Sequence, residues 1–306
     1  MPSFTFTETQ ELIRQTARDF ARDEIAPTAV ERDLAAEFPY DIVKKLGELG
    51  FLGMMVSPEW GGSGLDTVSY VIAMEEISKV DASVGVIMSV NNSLVCWAIE
   101  KWGTDAQKDK YLRALATGEK LGAFCLSEPE AGSDATQQRT TADHDGESWV
   151  LNGMKNWITN GTTADIFLVM AQTDREKGYK GISCFIVDGN AEGFSRGKKE
   201  DKLGIRSSDT CSLAFTSVRV PDGDMLGELG QGFKIAMETL NGGRIGIASQ
   251  ALGIAQGAFE ASVRYSQERK AFGRPISDLQ AIRFKLAKMS MKLVPSLLLT
   301  YKAATL

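Results

Sequence analysis

The chain has 306 residues, which is long enough for two or three domains. Hydrophobic residues make up 43% and charged residues 24%, so the chain can bury a sizeable core and is not a disordered chain. Its formal net charge of −6 argues against a nucleic-acid scaffold, because a phosphate backbone needs a basic surface, although one anionic small molecule needs only local positive groups.

Cysteine and histidine usage excludes several kinds of site. Four cysteines are spread along the chain without a Cys-x-x-Cys pair: Cys96, Cys125, Cys184 and Cys211. This pattern is typical of packed, reduced thiols in an intracellular protein. His144 is the only histidine and precedes Asp145-Gly146, a turn-like sequence. We therefore expect neither a histidine-dependent catalytic triad nor a metal site.

The expected location of the protein rests on two kinds of sequence feature, membrane-spanning runs and targeting peptides. We find no apolar run of membrane-spanning length, and the stretch from Met1 to Thr7 does not resemble a signal or transit peptide. We therefore expect the protein in the cytoplasm of a bacterium, or alternatively in mature form in the mitochondrial matrix, with no membrane or nucleic-acid partner.

The first third of the chain, residues 1–118, is predicted to be an α-helical domain. Thr7 and Gln10 have the spacing of a capping box, and apolar residues then recur at helical spacing. Further helices are predicted at about residues 41–49, 67–79 and 105–116. The apolar run Ala82–Trp97 is predicted to be a buried helix, in which Asn91 and Asn92 have a polar function or form a satisfied polar pair.

Residues 119–228 have a hydrophobic period near two and are predicted to form an antiparallel β domain. The predicted strands are residues 123–127, 148–152, 166–171, 182–187 and 211–220. Strands and helices do not alternate, so a Rossmann dinucleotide-binding fold is disfavoured. The two Gly-x-Gly patterns, which begin at Gly62 and Gly230, lack the further glycine of the phosphate-binding fingerprint.

Residues 229–306 are predicted to be helical again, which completes an α+β multi-domain architecture. One helix runs from about Phe233 to Glu268, and a second begins near Asp278, with Pro295 expected to kink it or remove a hydrogen bond. The helical pattern continues to Leu306 without a cap. Either these helices pack on the N-terminal helices and a partner subunit, or, as we expect, part of this domain is missing from the sequence.

The stretch Leu121–Asp134 is an apolar strand that ends in a turn with short polar side chains. Pro129 restricts the residue before it to an extended backbone, and Gly132 permits backbone angles that other residues resist. Such a strand end suits a flat ligand with phosphates, because the amides and hydroxyls of the turn can bind phosphate oxygens. Taken alone, however, the stretch is better explained as a strand and an ordinary Pro/Gly loop.

Four motifs follow one another in the predicted domains: Leu126–Asp134, Leu151–Asn160, Leu240–Arg244 with Gln250–Gly253, and Glu268–Ile276 followed by Gln280. Together with the order of helices, β domain and helices, they resemble the acyl-CoA dehydrogenase family, most of all its short-chain (butyryl-CoA) branch. The resemblance implies an FAD-dependent α,β-dehydrogenation of a short- or medium-chain acyl-CoA thioester to trans-2-enoyl-CoA. It further implies transfer of electrons to electron-transfer flavoprotein, and a homotetramer with FAD near the subunit interface.

The resemblance also implies which residues contact FAD. The hydroxyls of Ser127 and Thr159 would face the polar edge of the flavin, and Trp157 would form a flat apolar wall. The full implied set is Phe124, Cys125, Leu126, Ser127, Gly132, Ser133, Trp157, Ile158, Thr159, Arg269, Phe272 and Gln280. The last three would reach the FAD of a neighbouring subunit. The guanidinium of Arg269 can form bidentate bonds to the pyrophosphate of that FAD.

Contacts to the acyl-CoA substrate are implied on the first C-terminal helix and in the first motif. The implied residues are Ser133, Asn241, Gly242, Gly243 and Arg244. The family more often has Asp where this chain has Asn241.

No catalytic base can be assigned from the motifs. In most branches of the family the glutamate lies late in the C-terminal domain, and in others it directly precedes the arginine that corresponds to Arg244, where this chain has Gly243. Three glutamates match neither position: Glu238, Glu260 and Glu268. We therefore expect the family glutamate beyond Leu306 and weak or absent activity of the 306-residue chain. The alternatives are a non-catalytic flavin- or acyl-CoA-binding module or assembly partner, and an acyl-CoA oxidase variant.

Overall fold

The computed structural model describes residues 5–306, so that residues 1–4 of the N-terminal stretch considered for targeting lie outside the described residues. The order of helices, sheet and helices is the predicted one. The chain divides into two compact units. The first comprises Met1–Val30, Asp66–Val86 and Ile245–Leu306, and the second Glu31–Leu65 and Ile87–Arg244. The domain boundaries at residues 118 and 228 remain a prediction.

The helices of the described residues are α1 (Glu8–Phe20), α2 (Ala29–Ala35), α3 (Tyr40–Glu48), α4 (Thr67–Ser78), α5 (Ala82–Ser89), α6 (Trp97–Trp102), α7 (Asp105–Gln107), α8 (Arg113–Thr117), α9 (Gly232–Glu268) and α10 (Gln280–Ala304). The predicted capping box is confirmed at α1, where the Gln10 N–H donates to Thr7 Oγ1 at 3.2 Å and the Thr7 N–H donates to Gln10 Oε1 at 3.1 Å. α10 continues through Pro295.

One helical run, Ala82–Trp102, corrects the expectation that no apolar run reaches membrane-spanning length. It joins α5, a π-helical segment (Val90–Cys96) and α6. With 21 residues and a mean hydropathy of 1.5, it is long and apolar enough to cross a membrane, but 78% of its most apolar window is buried inside the protein. A buried core helix passes the same test, so the run is weak support for a membrane span.

Asn91 and Asn92 are two buried asparagines whose side chains are satisfied by backbone groups, which was one of the two alternatives expected for this run. The Asn91 amide donates to the carbonyl oxygens of Leu52 at 2.9 Å and Leu115 at 3.0 Å, and its Oδ1 accepts from the Gly122 N–H at 3.0 Å. Asn92 likewise bonds three backbone groups. Because Gly122 opens the first strand, Asn91 ties that strand to the helical run.

The strands of the main sheet are β1 (Gly122–Cys125), β2 (Thr141–His144), β3 (Ser148–Thr159), β4 (Ile166–Gln172), β5 (Ile182–Asp188), β6 (Phe194–Arg196), β7 (Thr210–Pro221) and β8 (Met225–Leu226). They are ordered β6-β7-β3-β2-β4-β5-β8, and β1 also pairs with β4. A separate pair consists of β9 (Lys270–Ala271) and β10 (Arg274–Pro275). The sequence prediction missed β2, β6, β8, β9 and β10, because strands of two to four residues are too short to show a period.

The sheet is mixed, so the prediction of a purely antiparallel domain was wrong for two pairs. β1 runs parallel to β4, with Gly122 opposite Ile166 and Cys125 opposite Val169, and β2 meets β4 in parallel at one position. The connection from β1 to β4 contains the β2–β3 hairpin, and such a long connection allows β4 to return in the direction of β1. Alternation of apolar residues carries no information about this direction.

β3 is longer than predicted and irregular. It extends to Thr159, and its register with β7 shifts between Leu151 and Gly153 and again between Lys155 and Ile158. A β-bulge bends a strand and re-aims a side chain. The second shift lies within the second motif, at the residues Asn156 and Trp157.

The cysteines are buried free thiols, as the spacing predicted. Cys125 and Cys211 lie in the core of the sheet domain together with apolar side chains such as Phe167 and Phe185, and Cys184 is buried as well. Burial raises the pKa of Cys211 to about 11 and that of Cys184 to about 12. These thiols therefore stay protonated and serve packing.

Candidate functional site

The first and second motifs lie side by side at the end of β1. The Asn156 N–H donates to the carbonyl oxygen of Ser127 at 2.9 Å. The Asn160 amide donates to the carbonyl oxygen of Gly122 at 3.1 Å. The first bond holds the chain that leaves β1 against the bulge of β3, and the second ties the start of β1 to the residue after β3. Ser127 and Trp157 therefore belong to one site.

Trp157 is the most conspicuous side chain of this site. It is 66% exposed, although large aromatic side chains are usually buried. Its φ of 61° lies in the left-handed region, which is unfavourable for a bulky residue. Such strain persists only where the surrounding structure imposes it, and it is frequent at binding sites. Trp157 thus offers a flat apolar surface beside the end of β1.

Several polar groups around the bulge are available to a ligand. In the part of the chain that the structure describes, the hydroxyls of Ser127, Ser133 and Thr159 form no hydrogen bond, and neither does the Ser127 N–H. The Oδ1 atom of Asn156 is buried and has no hydrogen-bond partner among residues 5–306. Because buried polar atoms are nearly always paired, the Asn156 oxygen in particular fits a polar ligand edge placed against the bulge.

The loop after β1 is closed on itself. The Glu128 N–H donates to the Ala131 oxygen at 3.0 Å, and the Ala131 N–H donates to the Glu128 oxygen at 3.2 Å. Gly132 does not use the positive φ that a glycine permits. A Cβ atom at Gly132 would meet nothing within 4 Å, so the glycine leaves open space beside Ser133.

The sequence analysis gave Glu128 no role and missed its buried partner. Glu128 Oε1 lies 2.7 Å from Lys155 Nζ, and the side chains are 4% and 0% exposed. The Glu128 carboxylate also accepts the N–H of Arg139 at 2.6 Å and that of Thr140 at 3.2 Å. The only sequence signal was a lysine among apolar positions of the second motif.

The environment of this ion pair alters its protonation equilibria. Burial alone would raise the pKa of Glu128, but the charge of Lys155 and the backbone N–H donors outweigh burial, and the pKa is lowered. Burial lowers the pKa of Lys155, and the neighbouring carboxylate opposes this shift. Three oxygen atoms lie within hydrogen-bond distance of Lys155 Nζ, which matches the three donors of an ammonium.

The third motif brings together the implied substrate residues on α9. Asn241 and Arg244 are exposed and hydrogen-bond each other through their side chains. Gly243 is buried, and a Cβ atom there would lie 2.8 Å from a methyl carbon of Leu94. A longer side chain at position 243 would have to displace Leu94. A Cβ atom at Gly242 would meet only the Ser93 carbonyl oxygen, at 4.0 Å.

Two of the three glutamates of α9 are engaged in ion pairs. Glu238 pairs with Lys101 at 2.9 Å, and Glu260 pairs with Lys79 at 2.6 Å. Among residues 5–306, no group of three or more His, Cys, Asp or Glu side chains could hold a metal ion. His144 ends β2 beside the turn, as expected, with its Nε2 atom 2.9 Å from Asp222 Oδ1.

The fourth motif lies in the other compact unit. Arg269 precedes β9, Phe272 stands in the tight turn between β9 and β10, and Gln280 begins α10. All three are exposed; Phe272 is 90% exposed and has a φ of 55°. This turn therefore projects an aromatic ring and a guanidinium from the surface of its unit.

Three family models match the chain: "Acyl-CoA dehydrogenase, N-terminal domain" at residues 7–119, "Acyl-CoA dehydrogenase, middle domain" at 123–218 and "Acyl-CoA dehydrogenase, C-terminal domain" at 230–306. The chain is similar to the short-chain specific acyl-CoA dehydrogenase, mitochondrial, of Bos taurus. The two are 53% identical over 304 residues, which cover 99% of this chain and 74% of that relative.

Solved structures resemble the fold closely. The butyryl-CoA dehydrogenase of Megasphaera elsdenii has a TM-score of 0.97 at 46% identity, covering 99% of this chain and 80% of that chain. A chain in a structure described as "Electron transferring flavoprotein of Acidaminococcus fermentans" has a TM-score of 0.98 at 48% identity, with coverages of 99% and 80%. A glutaryl-CoA dehydrogenase of Mycobacterium smegmatis in complex with FADH2 has a TM-score of 0.93 at 35% identity, with coverages of 98% and 76%.

Proposed function

Since the chain belongs to the acyl-CoA dehydrogenase family, we propose that it is an FAD-dependent acyl-CoA dehydrogenase specific for short-chain substrates. It converts an acyl-CoA thioester to the trans-2-enoyl-CoA and passes the electrons to electron-transfer flavoprotein. Bound FAD would supply the acceptor for the hydride that leaves the β-carbon.

The hydrogen bond between the Ser127 oxygen and the Asn156 N–H is the observation that carries this proposal. It joins two motifs that are distant in sequence into one edge with unpaired hydroxyls and an exposed Trp157. We assign Ser127 and Thr159 to the polar edge of the flavin and Trp157 to its face. The remaining cofactor contacts in this unit are Phe124, Cys125, Leu126, Gly132, Ser133 and Ile158. The side chains of Cys125 and Ile158 are buried in the core, so these two residues offer only their backbone.

The substrate contacts follow from the exposed side of α9. Asn241 and Arg244 supply polar groups for the CoA part of the substrate, and Gly242, which has no side chain, leaves space beside them. Ser133 lies in the first motif and is proposed to contact both substrate and cofactor. The carboxylate that removes the α-proton is not one of the paired glutamates of α9, Glu238 and Glu260.

The exposed turn with Arg269, Phe272 and the nearby Gln280 supports a homo-oligomer, which we propose to be a tetramer. These side chains would contact the FAD of a neighbouring subunit, with the guanidinium bonding its pyrophosphate. We further propose that the protein works in the bacterial cytoplasm, with the mitochondrial matrix as the alternative, since the relative of Bos taurus is mitochondrial.

Titration of the apoprotein with FAD tests the proposal. We expect tight binding, and anaerobic butyryl-CoA should bleach the absorbance of the bound flavin. Trp157→Ala should weaken FAD binding about two- to tenfold, since an aromatic contact contributes about 0.5–1.5 kcal/mol. Its effect on the free energy of unfolding should stay within about 0.5 kcal/mol, because the side chain is exposed.

The matched control is Tyr40→Ala, because Tyr40 is also 66% exposed. This variant should bind FAD like the wild type. A folded wild-type protein that binds no FAD would sink the proposal. A yellow protein whose colour survives acyl-CoA of every chain length would favour a binding module.

A further inference from the structure

We propose that Lys155, held in place by Glu128, is a positioning residue for the flavin. It clamps the Leu126–Ser127 peptide and thereby sets the affinity and the reduction potential of the cofactor. This inference rests on the proposed function, because it concerns the same flavin. Lys155 is not a catalytic residue, since it lies wholly inside the protein.

The ammonium of Lys155 is fully coordinated by the first motif and its flank. Besides Glu128 Oε1 at 2.7 Å, its Nζ atom donates to the Leu126 carbonyl oxygen at 3.3 Å and to Gln138 Oε1 at 3.2 Å. Three acceptors from three positions of one segment leave the ammonium no freedom. Through them, a residue of β3 fixes the path of the chain after β1.

The Leu126 carbonyl and the Ser127 N–H are parts of the same peptide group. A charged donor on the carbonyl polarises the peptide and makes its N–H a stronger donor. The Ser127 N–H has no acceptor in the described part of the chain, so this added strength is available to a ligand. Reduction of a flavin increases the negative charge at its polar edge, and a stronger donor there should favour the reduced form.

Fold stability by itself does not account for the pair. A buried ion pair contributes little compared with apolar residues of the same size, because both charges lose their hydration. Here the charges lie directly behind the backbone of the proposed flavin edge. Placement of that backbone is therefore the role that the geometry supports.

The decisive variant is Lys155→Met, with Lys177→Met as the matched control. Lys177 also pairs with a carboxylate, Asp174, at 2.8 Å, but its side chain is 66% exposed. We expect the Lys155 variant to bind FAD at least tenfold more weakly and to shift the midpoint potential of the bound flavin downward. The control should retain the wild-type affinity and potential.

A second variant covers the risk that Lys155→Met leaves Glu128 as an uncompensated charge and prevents folding. Lys155→Met combined with Glu128→Gln removes both charges, and it should give a folded protein with the same losses. Wild-type affinity and potential in this folded double variant would overturn the inference. A wild-type protein that binds no FAD would overturn the proposed function as well, so the two failures are distinguishable.

Discussion

At the scale of single residues, Glu128 links the stability of the protein to pH. Its pKa in the folded state is lowered by Lys155 and by backbone donors despite burial. The ordinary value for a glutamate in an unfolded chain is about 4.3. A carboxylate with a lowered folded pKa stabilises the fold above its unfolded pKa, and this contribution is lost as the pH falls through the folded pKa.

We therefore predict that acid destabilises the wild type partly through this carboxylate. Between about pH 5 and the folded pKa of Glu128, the free energy of unfolding should fall more steeply for the wild type than for Glu128→Gln. Urea unfolding at a series of pH values measures both slopes. Glu147→Gln is the control, because Glu147 is exposed, and it should keep the wild-type slope. Equal slopes for wild type and Glu128→Gln would contradict the prediction.

At the scale of secondary-structure elements, two glycines of α9 allow close packing against α4 and the residue that follows it. A Cβ atom at Gly253 would lie 2.4 Å from the Glu75 carbonyl oxygen, and one at Gly257 would lie 2.4 Å from the Lys79 carbonyl oxygen. Both distances are shorter than a van der Waals contact. These two glycines thus set how closely the two helices approach.

We predict that Gly253→Ala destabilises the protein by about 1–3 kcal/mol, the usual cost of overpacking. This loss opposes the helix propensity of alanine, which by itself favours the substitution by about 1 kcal/mol. Gly204→Ala is the control, because its Cβ would meet nothing within 4 Å. Chemical unfolding of both variants gives the comparison, and an unchanged or higher stability of Gly253→Ala would show that the helices can separate without cost.

At the scale of the whole molecule, flavin binding and subunit assembly should be coupled. The turn with Arg269 and Phe272 is exposed and lies in a different compact unit from Ser127 and Trp157. If a neighbouring subunit supplies these contacts, dissociation of the oligomer removes part of each FAD site. Binding that is specific to the assembled state also stabilises that state.

We predict that dilution releases FAD in parallel with the loss of the tetramer, measured by sedimentation at a flavin wavelength. Arg269→Ala should bind FAD at least about tenfold more weakly, because a charge-assisted hydrogen bond contributes about 1.5–3 kcal/mol. Arg175→Ala, an exposed arginine of the sheet domain, should behave like the wild type. A monomer that holds FAD as tightly as the oligomer would be incompatible with shared sites.

The sequence by itself determined the features that depend on neighbouring residues. The order of helices, sheet and helices, the Thr7–Gln10 capping box and the positions of five of the ten strands follow from local periodicity and capping. The motif residues of the proposed flavin edge, such as Ser127 and Trp157, were found because the motifs resemble those of a family. Their assignments remain predictions, but the structure brings Ser127 and Trp157 into one site.

Only the tertiary structure decided the features that depend on residues far apart in the chain. The parallel pairing of β1 with β4 depends on the path of the connection, which apolar alternation does not encode. The pair of Glu128 and Lys155 spans 27 positions, and each residue alone is typical of an exposed side chain. Its burial results from the packing of the loop after β1 against β3. The charges of Glu128 and Lys155 thus lie behind the proposed flavin edge, whereas the sequence of the first motif by itself indicates only the polar groups of that edge.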